Sequence, residues 1–190
     1  MSDTWDSMAS FWDSHEDVKT YSDNAYTSLT TVIGLDGKRV LDFGCGTGLL
    51  THKIANHAHE VFAIDSSPKM IAVLKSKKIP NITSYCDLLS NDFIKDHSNK
   101  LQKFDLIVAS SVCAFLENYT EILVMLKSLL KPNGLFIQWD WLTSQSKVGE
   151  GFNQESVSKA FTTVGLKTKS MTIPFALDDQ KVLMAVGVNH

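Results

Sequence analysis

Short apolar segments alternate with amphipathic ones along the middle of the chain, and this alternation limits the possible folds more than any other feature. Segments of strand length lie at 39–43, 61–64, 82–86, 104–109 and 135–139. Between them, 49–58, 67–77 and 120–130 have helical spacing of apolar residues, and 91–103 is polar and predicts a short helix with a loop. Parallel strands joined by right-handed helical crossovers produce this order. The pattern therefore predicts an α/β fold with a doubly wound, mostly parallel sheet.

Further helices and strands are predicted at both ends of this core. Trp5, Met8, Phe11 and Trp12 have helical spacing, and a second helical stretch covers 22–33. At the other end, a helix at 153–164 precedes strands at 166–175 and 181–188, whose short turn makes them antiparallel. A chain of 190 residues suits one domain with its own core. We therefore expect a single domain over 1–190, with an N-terminal helical lid over 1–33 and an α/β core over 34–190.

Composition and charge narrow the class of protein. The net charge of −3 does not favour a broad electrostatic grip on nucleic acid. Cys45, Cys86 and Cys113 lack metal-ligand spacing and are predicted to be reduced thiols. The acidic first eight residues do not resemble a secretory signal, and the apolar stretch 106–116 is about half as long as a membrane span. These features predict a soluble, cytoplasmic monomer or homodimer with no metal and no membrane or nucleic-acid partner.

The most informative motif is the segment Asp42-Phe43-Gly44-Cys45-Gly46-Thr47-Gly48, which joins the first strand to a helix. Glycines at this place allow a tight turn and a close approach of the backbone to a ligand. The third glycine of the dinucleotide pattern G-x-G-x-x-G is replaced by Leu49, and Asp42 would repel a pyrophosphate while attracting a cationic ligand. An ordinary tight turn with Asp42 as a cap is the alternative.

Acidic residues also follow the next two predicted strands. Asp65 ends the second strand, where doubly wound folds place the acid that binds ribose hydroxyls, and Asp87 ends the third strand. Either residue alone could be a helix cap. Because the carboxyl ends of parallel strands meet at one edge of a sheet, we expect Asp42, Asp65 and Asp87 to converge there.

Together these segments resemble class I S-adenosylmethionine-dependent methyltransferases of the small, single-domain kind. The resemblance covers about 38–134 and includes the glycine loop, the fourth strand with 104–111, and the turn at 129–135. It implies a Rossmann-like sheet of seven strands with an antiparallel edge strand, and S-adenosylmethionine as the cofactor, which becomes S-adenosylhomocysteine. It also implies that Asp65 binds the ribose and that Asp87 and Leu88 bind the adenine. The cofactor-binding residues that it implies are Asp42, Gly44, Cys45, Gly46, Gly48, Asp65, Ser66, Met70, Asp87, Leu88 and Ser110.

The sequence does not single out a catalytic group. Many relatives carry a histidine pair after the fourth strand, but this chain has Cys-Ala-Phe at 113–115, so that role cannot be transferred. The methyl group of the cofactor is already activated, so that alignment with a nucleophile is the main requirement. Asp140, His15 and Tyr21 are candidates for a proton acceptor. Asp140 could instead cap a loop, and His15 could simply be exposed to solvent.

Ligands of open α/β sheets lie beyond the carboxyl ends of the strands, which suggests where an acceptor binds. Candidates for binding it are Trp12, Tyr21, Ser111, Cys113, Phe115, Trp139 and Trp141. Packing in the core is the alternative for the tryptophans. The chain has no long insertion after the fifth strand and no basic stripe, which favours a small-molecule acceptor. A non-catalytic S-adenosylmethionine-binding regulator and a nicotinamide-linked oxidoreductase are the competing interpretations.

Overall fold

The computed structural model of the protein describes residues 2–101 and 103–190, with side chains from Thr4 onward. Met1, part of the predicted lid, and Gln102, part of the predicted segment 91–103, lie outside the described residues. The strands are β1 (Arg39–Phe43), β2 (Glu60–Asp65), β3 (Ile82–Cys86), β4 (Phe104–Ser110), β5 (Leu130–Trp141), β6 (Leu166–Leu177) and β7 (Gln180–Asn189). The helices are α1 (Ser2–Trp12), α2 (Glu16–Val32), α3 (Leu49–Ala55), α4 (Pro68–Ser76), α5 (Asn91–Asp96), α6 (Tyr119–Ser128) and α7 (Gln154–Val164).

The strands form a seven-stranded sheet in the order β3-β2-β1-β4-β5-β7-β6. β1 with β2, β2 with β3, and β4 with β5 pair in parallel, whereas β7 is antiparallel to both β5 and β6. The prediction of an α/β fold with a mostly parallel sheet of seven strands is confirmed. The predicted antiparallel hairpin is also found at one edge, and its reversed strand, β7, lies one position inside the edge strand β6.

By their internal contacts the residues group into two compact units, which divide after Leu88. The first unit holds α1 to α4 and β1 to β3, and its core includes Ala63 packed with Ile71 and Leu74 of α4. The second unit holds α5 to α7 and β4 to β7, and in its core the rings of Phe136 and Phe161 meet edge to face at 5.8 Å. Among the described residues, none of the helices combines the length and the apolar character needed to cross a membrane.

Helix boundaries agree with the sequence where a polar cap determines them. Ser67 is the N-cap of α4 and its hydroxyl accepts a hydrogen bond from the Met70 amide at 3.2 Å, with Pro68 in the first turn, as predicted. Asn153 accepts from the Ser156 amide at 2.8 Å and caps α7, which ends at Gly165 with φ of 74°. α2 begins at Glu16, six residues before the predicted start at 22. Its N-cap residue, His15, makes no capping hydrogen bond with its side chain, so the sequence carries no signal for this start.

The start of β5 differs from the prediction. The segment Pro132-Asn133-Gly134 was expected to form a turn before a strand at 135–139, but it lies inside β5, which begins at Leu130. The pairing with β4 shifts there, from Phe104 with Leu130 to Leu106 with Leu135. Pro132 has no amide proton for the ladder and Asn133 has φ of 61°, so the strand bulges instead of ending.

Candidate functional site

The glycine loop turns sharply away from β1 and is held against β2. Gly44, Gly46 and Gly48 all have positive φ, at 73°, 54° and 83°, a region that favours glycine. The amides of Gly44 and Cys45 donate to the carbonyl of Ile64 at 2.8 and 3.2 Å. Burial, followed by the charges of Asp42 and Asp65, raises the pKa of the Cys45 thiol well above its usual value. The loop therefore has a fixed backbone and a thiol that stays protonated.

Asp65 joins this loop to the start of α4. One carboxylate oxygen, Oδ2, accepts a hydrogen bond from the Gly46 amide at 2.8 Å, and the other, Oδ1, accepts from the Ser67 amide at 2.8 Å. Burial raises the pKa of Asp65, and these two amides oppose the rise. An ionised carboxylate can accept about four hydrogen bonds, which leaves capacity for a ligand.

Asp42 lies beneath the loop. Its side chain is 1% exposed, and its Oδ2 accepts from the Thr51 hydroxyl at 2.7 Å. Burial raises its pKa to about 7, and the charge of Asp65 contributes to the rise. The alternative interpretation as the cap of α3 is wrong, because Gly48 occupies the N-cap. Thr51, in the first turn of the next helix, was missed by the sequence analysis.

The other predicted cofactor residues of the first unit lie just beyond β2 and β3. Asp87 is exposed, its amide donates to the Asp65 carbonyl at 3.1 Å, and its Oδ1 accepts from the Leu88 amide at 2.7 Å. The Leu88 side chain is 69% exposed. Ser66 is exposed, whereas Met70 is buried with its sulfur 4.0 Å from where a Cβ on Gly46 would lie. The first unit thus brings together the glycine loop, Asp65 and Asp87.

The N-terminal helices are anchored to the same loop and to α4. Asp13, between α1 and α2, accepts a hydrogen bond from the Thr47 hydroxyl and pairs with Lys77 at 2.8 Å. The Lys77 ammonium also donates to the Thr47 carbonyl at 2.8 Å. Asp6 on α1 accepts from the Ser67 hydroxyl and, at 3.1 Å, from the Lys69 amide. The sequence analysis missed these residues, because carboxylates on a polar helix resemble an ordinary solvated face.

The candidates of the N-terminal segment differ in exposure. The ring of Trp12 is half-buried and meets Trp5 edge to face at 5.7 Å. Tyr21 is buried on α2, and His15 is exposed. Phe11 is 65% exposed, so that the four predicted apolar residues of α1 do not form one buried face. Any contact of Trp12, His15 or Tyr21 with an acceptor stays a prediction.

The second unit carries the remaining predicted residues at the ends of β4 and β5. Ser110 and Ser111 are half-buried, and the Ser111 amide donates to the Trp139 carbonyl at 2.7 Å. Phe115 and Trp141 are half-buried as well. Cys113 and Trp139 are fully buried, Cys113 in the 3-10 turn after β4 and Trp139 on the inner strand β5. Any contact of Cys113 or Trp139 with an acceptor stays a prediction.

Asp140 sits in a buried hydrogen-bond network of the second unit. Its carboxylate is 1% exposed and accepts from the Ala114 amide at 3.0 Å and from the Gln138 amide group at 2.9 Å. The Tyr119 hydroxyl donates to the other end of the Gln138 side chain. Burial raises the pKa of Asp140 to about 7. Gln138 and Tyr119 were missed by the sequence analysis, since an isolated polar residue within an apolar strand gives no motif.

Among the described residues, no three His, Cys, Asp or Glu side chains are grouped so that they could hold a metal ion. The model of a methyltransferase domain family matches residues 41–136, which is about half of the chain and includes the glycine loop, Asp65, Asp87 and Ser110. The chain belongs to this methyltransferase domain family.

Similar proteins extend the assignment. The chain is 34% identical to the ubiquinone biosynthesis O-methyltransferase of Glaesserella parasuis over 105 residues. The aligned part is 54% of this chain and 44% of that protein. The chain thus spans about half the length of the curated relatives it matches. Two solved structures share the fold at 17% identity. The first is magnesium protoporphyrin IX methyltransferase from Synechocystis PCC 6803 with bound S-adenosylmethionine, with a TM-score of 0.69 over 90% of this chain and 79% of that one. The second is a putative methyltransferase of Haloferax volcanii in complex with the methyltransferase activator Trm112, with a TM-score of 0.76 over 97% of each chain.

Proposed function

We propose that the chain binds S-adenosylmethionine through its first unit and transfers the methyl group to a nucleophile of a small molecule. The observation that carries this proposal is Asp65, which ends β2 and holds the Gly46 amide while keeping capacity for further hydrogen bonds. An acid at this place and a glycine loop between the first strand and its helix are typical of nucleoside-binding sites in doubly wound folds. Membership of the methyltransferase domain family favours S-adenosylmethionine among such ligands.

Each residue of the first unit has a distinct part in the proposed binding. Asp65 would accept the ribose hydroxyls, and Asp87 would accept the amino group of the adenine. Leu88, with its side chain exposed at the end of β3, would cover the adenine ring. Gly44, Gly46 and Gly48 would let the backbone approach the methionine part, beside Cys45 and Met70. Asp42 and Ser66 on this side, with Ser110 of the second unit, complete the proposed cofactor set.

When bound, S-adenosylmethionine would supply a methyl group on a sulfonium. A nucleophile in line with the C–S bond would take the methyl carbon, and S-adenosylhomocysteine would leave with the electron pair of that bond. The main task of the protein is therefore to orient the acceptor, which contributes roughly 7–11 kcal/mol in well-aligned systems. A proton on the acceptor must leave to a base or to water. His15 is exposed and could exchange a proton with solvent, whereas Tyr21 and Asp140 are buried.

Two observations support a small-molecule acceptor. The net charge of −3 gives no general attraction to nucleic acid. The relatives named for ubiquinone biosynthesis and for magnesium protoporphyrin IX are both named for small molecules. Because the first of these is an O-methyltransferase, oxygen is the first acceptor atom to test. The single domain with its lid over 1–33, the cytoplasmic location and the monomeric or homodimeric state belong to the same proposal.

The experiment that tests this proposal uses methyl-labelled S-adenosylmethionine, the purified protein and a cell extract divided by molecular size. We expect label in the small-molecule fraction, and chemical analysis of that fraction would identify the acceptor. Label in protein or RNA would contradict the proposed acceptor class. Calorimetry with S-adenosylmethionine and with a nicotinamide dinucleotide is the companion measurement. Binding without transfer would favour the non-catalytic regulator, and preference for the dinucleotide would favour the oxidoreductase.

A further inference from the structure

Two loops of the second unit follow parallel strands at their carboxyl ends, the position at which α/β proteins bind ligands. The first is a short 3-10 turn, Cys113–Phe115, after β4, and the second is the segment 142–152, after β5. Ala114 connects them. Its carbonyl accepts a hydrogen bond from the Gly149 amide at 2.7 Å, and its own amide donates to Asp140 at 3.0 Å. One residue therefore links the two loops, and the Asp140 carboxylate accepts a hydrogen bond from its amide.

The two ends of the segment 142–152 are joined by backbone hydrogen bonds. The Phe152 amide donates to the Trp141 carbonyl and the Thr143 amide donates to the Phe152 carbonyl, each at 2.9 Å. Gly151 has φ of 145°, and a Cβ there would lie 2.1 Å from the Trp141 carbonyl oxygen. The ends of the segment are thus closed tightly, so that the Gly149–Ala114 hydrogen bond sets where its tip lies.

The hydrogen-bond network around Asp140 is buried. Asp140 and Gln138 are each 1% exposed, and Tyr119 is 9% exposed with its ring centre 4.7 Å from that of Phe152. A buried polar group is costly unless it is hydrogen-bonded. Both Asp140 oxygens accept hydrogen bonds and its side chain has almost no exposed surface, so direct contact with an acceptor is blocked. The arrangement fixes a backbone and does not present a base.

We propose that Asp140 is a positioning residue, which fixes Ala114 and, through it, the two loops on which the methyl acceptor rests. That these loops hold the methyl acceptor rests on the proposed function, whereas the control of the loops by Asp140 does not. Gln138 and Tyr119 share the task, because they orient the Asp140 carboxylate. Phe115, which ends the first loop, and Trp141, which directly precedes the second, are the side chains that this arrangement would hold in place for the acceptor.

Hydrogen exchange at the Ala114 and Gly149 amides tests the structural part of this proposal. Asp140→Ala removes the oxygen that Ala114 needs, and we expect both amides to exchange at least about tenfold faster, on the scale of one lost hydrogen bond to a charged group. Asp140→Asn keeps an oxygen for Ala114, and Gln138 can rotate its amide to face the new NH₂ group. We expect its exchange rates to stay within about threefold of the unmodified protein, and equal protection in Asp140→Ala would overturn the proposal.

A matched variant is available if Asp140→Ala does not fold. Tyr119→Phe removes only the hydroxyl that donates to Gln138 and keeps the ring on Phe152. We expect faster exchange at Ala114 with unchanged exchange in α7, which lies outside the network. Unchanged exchange at Ala114 would show that the network does not orient Asp140.

Methyl transfer separates positioning from catalysis. With labelled S-adenosylmethionine at saturation and the small-molecule fraction of a cell extract as the acceptor probe, Asp140→Ala should raise the apparent KM for the extract about tenfold. The Kd for S-adenosylmethionine should stay within about twofold, because the proposed cofactor residues are nearly all in the first unit. Asp140→Asn should restore transfer.

Loss of transfer in Asp140→Asn with intact amide protection would make Asp140 a proton acceptor and overturn the proposal. A protein that transfers no methyl group at all would contradict the proposed function, and the exchange rates would still decide whether Asp140 holds the loops.

Discussion

Gly46 and Gly48 share a positive φ but differ in what surrounds them. A Cβ on Gly48 would lie 2.3 Å from the Leu74 Cδ1, and Leu74 is 2% exposed, whereas a Cβ on Gly46 would meet only the Met70 sulfur at 4.0 Å. Both alanine variants carry a backbone penalty of about 1–2 kcal/mol, and Gly48→Ala adds the displacement of Leu74. We expect Gly48→Ala to lower the free energy of unfolding more than Gly46→Ala does.

Ligand affinity should show the opposite order at these two glycines. The open side of Gly46 is where the proposed cofactor approaches, so that Gly46→Ala, and more strongly Gly46→Val, should weaken S-adenosylmethionine binding in the folded protein. Urea unfolding gives the stability and calorimetry gives the affinity. If Gly46→Val folds and binds normally, the loop does not contact the cofactor.

Asp65→Ala tests the proposed ribose contact. Removal of the carboxylate takes away the partner of the Gly46 and Ser67 amides as well as the ligand contact. We expect the binding of S-adenosylmethionine to weaken by about 1.5–3 kcal/mol, the scale of hydrogen bonds to charged groups. Calorimetry measures the change, and Asp36→Ala, at an exposed carboxylate before β1, is the control. Equal affinities in the two variants would exclude Asp65 from the binding site.

At the scale of elements, the N-terminal helices and the glycine loop are coupled through one ammonium group. Lys77 pairs with Asp13 and donates to the Thr47 carbonyl, both at 2.8 Å. Lys77→Met keeps most of the side-chain volume and removes both contacts. We expect S-adenosylmethionine to bind about fivefold more weakly, which corresponds to about 1 kcal/mol for a partly exposed network.

The same variant should loosen the junction between α1 and α2. Limited proteolysis of Lys77→Met should cut faster near Asp13, because that carboxylate keeps only the Thr47 hydroxyl as a partner. Lys75→Met, at an exposed lysine of α4, is the matched control. Identical cleavage and affinity in the two lysine variants would show that the N-terminal segment is independent of the loop.

Element boundaries could be predicted where a local chemical signal exists and not elsewhere. β1 and β3 have the predicted bounds, with the glycine loop directly after β1 and Asp87 directly after β3, and α4 starts at the predicted cap. The bulge in β5 was predicted as a turn, since Pro-Asn-Gly is typical of both, and only the pairing with β4 tells them apart. Pairing joins residues that are distant in the sequence, and no single segment carries that information.

For the molecule as a whole, the fold and the residues of the proposed cofactor site followed from the order of the segments and from acids at strand ends. The partners of those residues did not. Asp13 reaches Thr47 and Lys77 across the sequence, and Gln138 and Tyr119 meet only when β5 and α6 pack together. Trp139 shows the same limit, because β5 is an inner strand only through its pairing with β4 and β7, which are distant in the sequence.

The two units each bury one carboxyl group, and this should make the stability of the protein depend on pH. Burial raises the pKa of Asp42 and of Asp140 to about 7, from an ordinary value of 3.8. Between pH 4 and 7 the folded state therefore holds protons that the unfolded chain has released, so these groups lower the free energy of unfolding as the pH rises through this window. Each contributes at most about 1.4 kcal/mol per pH unit.

Urea unfolding at pH 5 to 8 should show the decline in the free energy of unfolding. Asp42→Asn and Asp140→Asn should each make this decline less steep, because the amide does not titrate. Asp36→Asn, at an exposed site, should leave the slope unchanged. If both buried variants reproduce the original pH dependence, then Asp42 and Asp140 ionise in the folded protein at the same pH as in the unfolded chain, and their burial is offset by the hydrogen bonds from Thr51, Ala114 and Gln138.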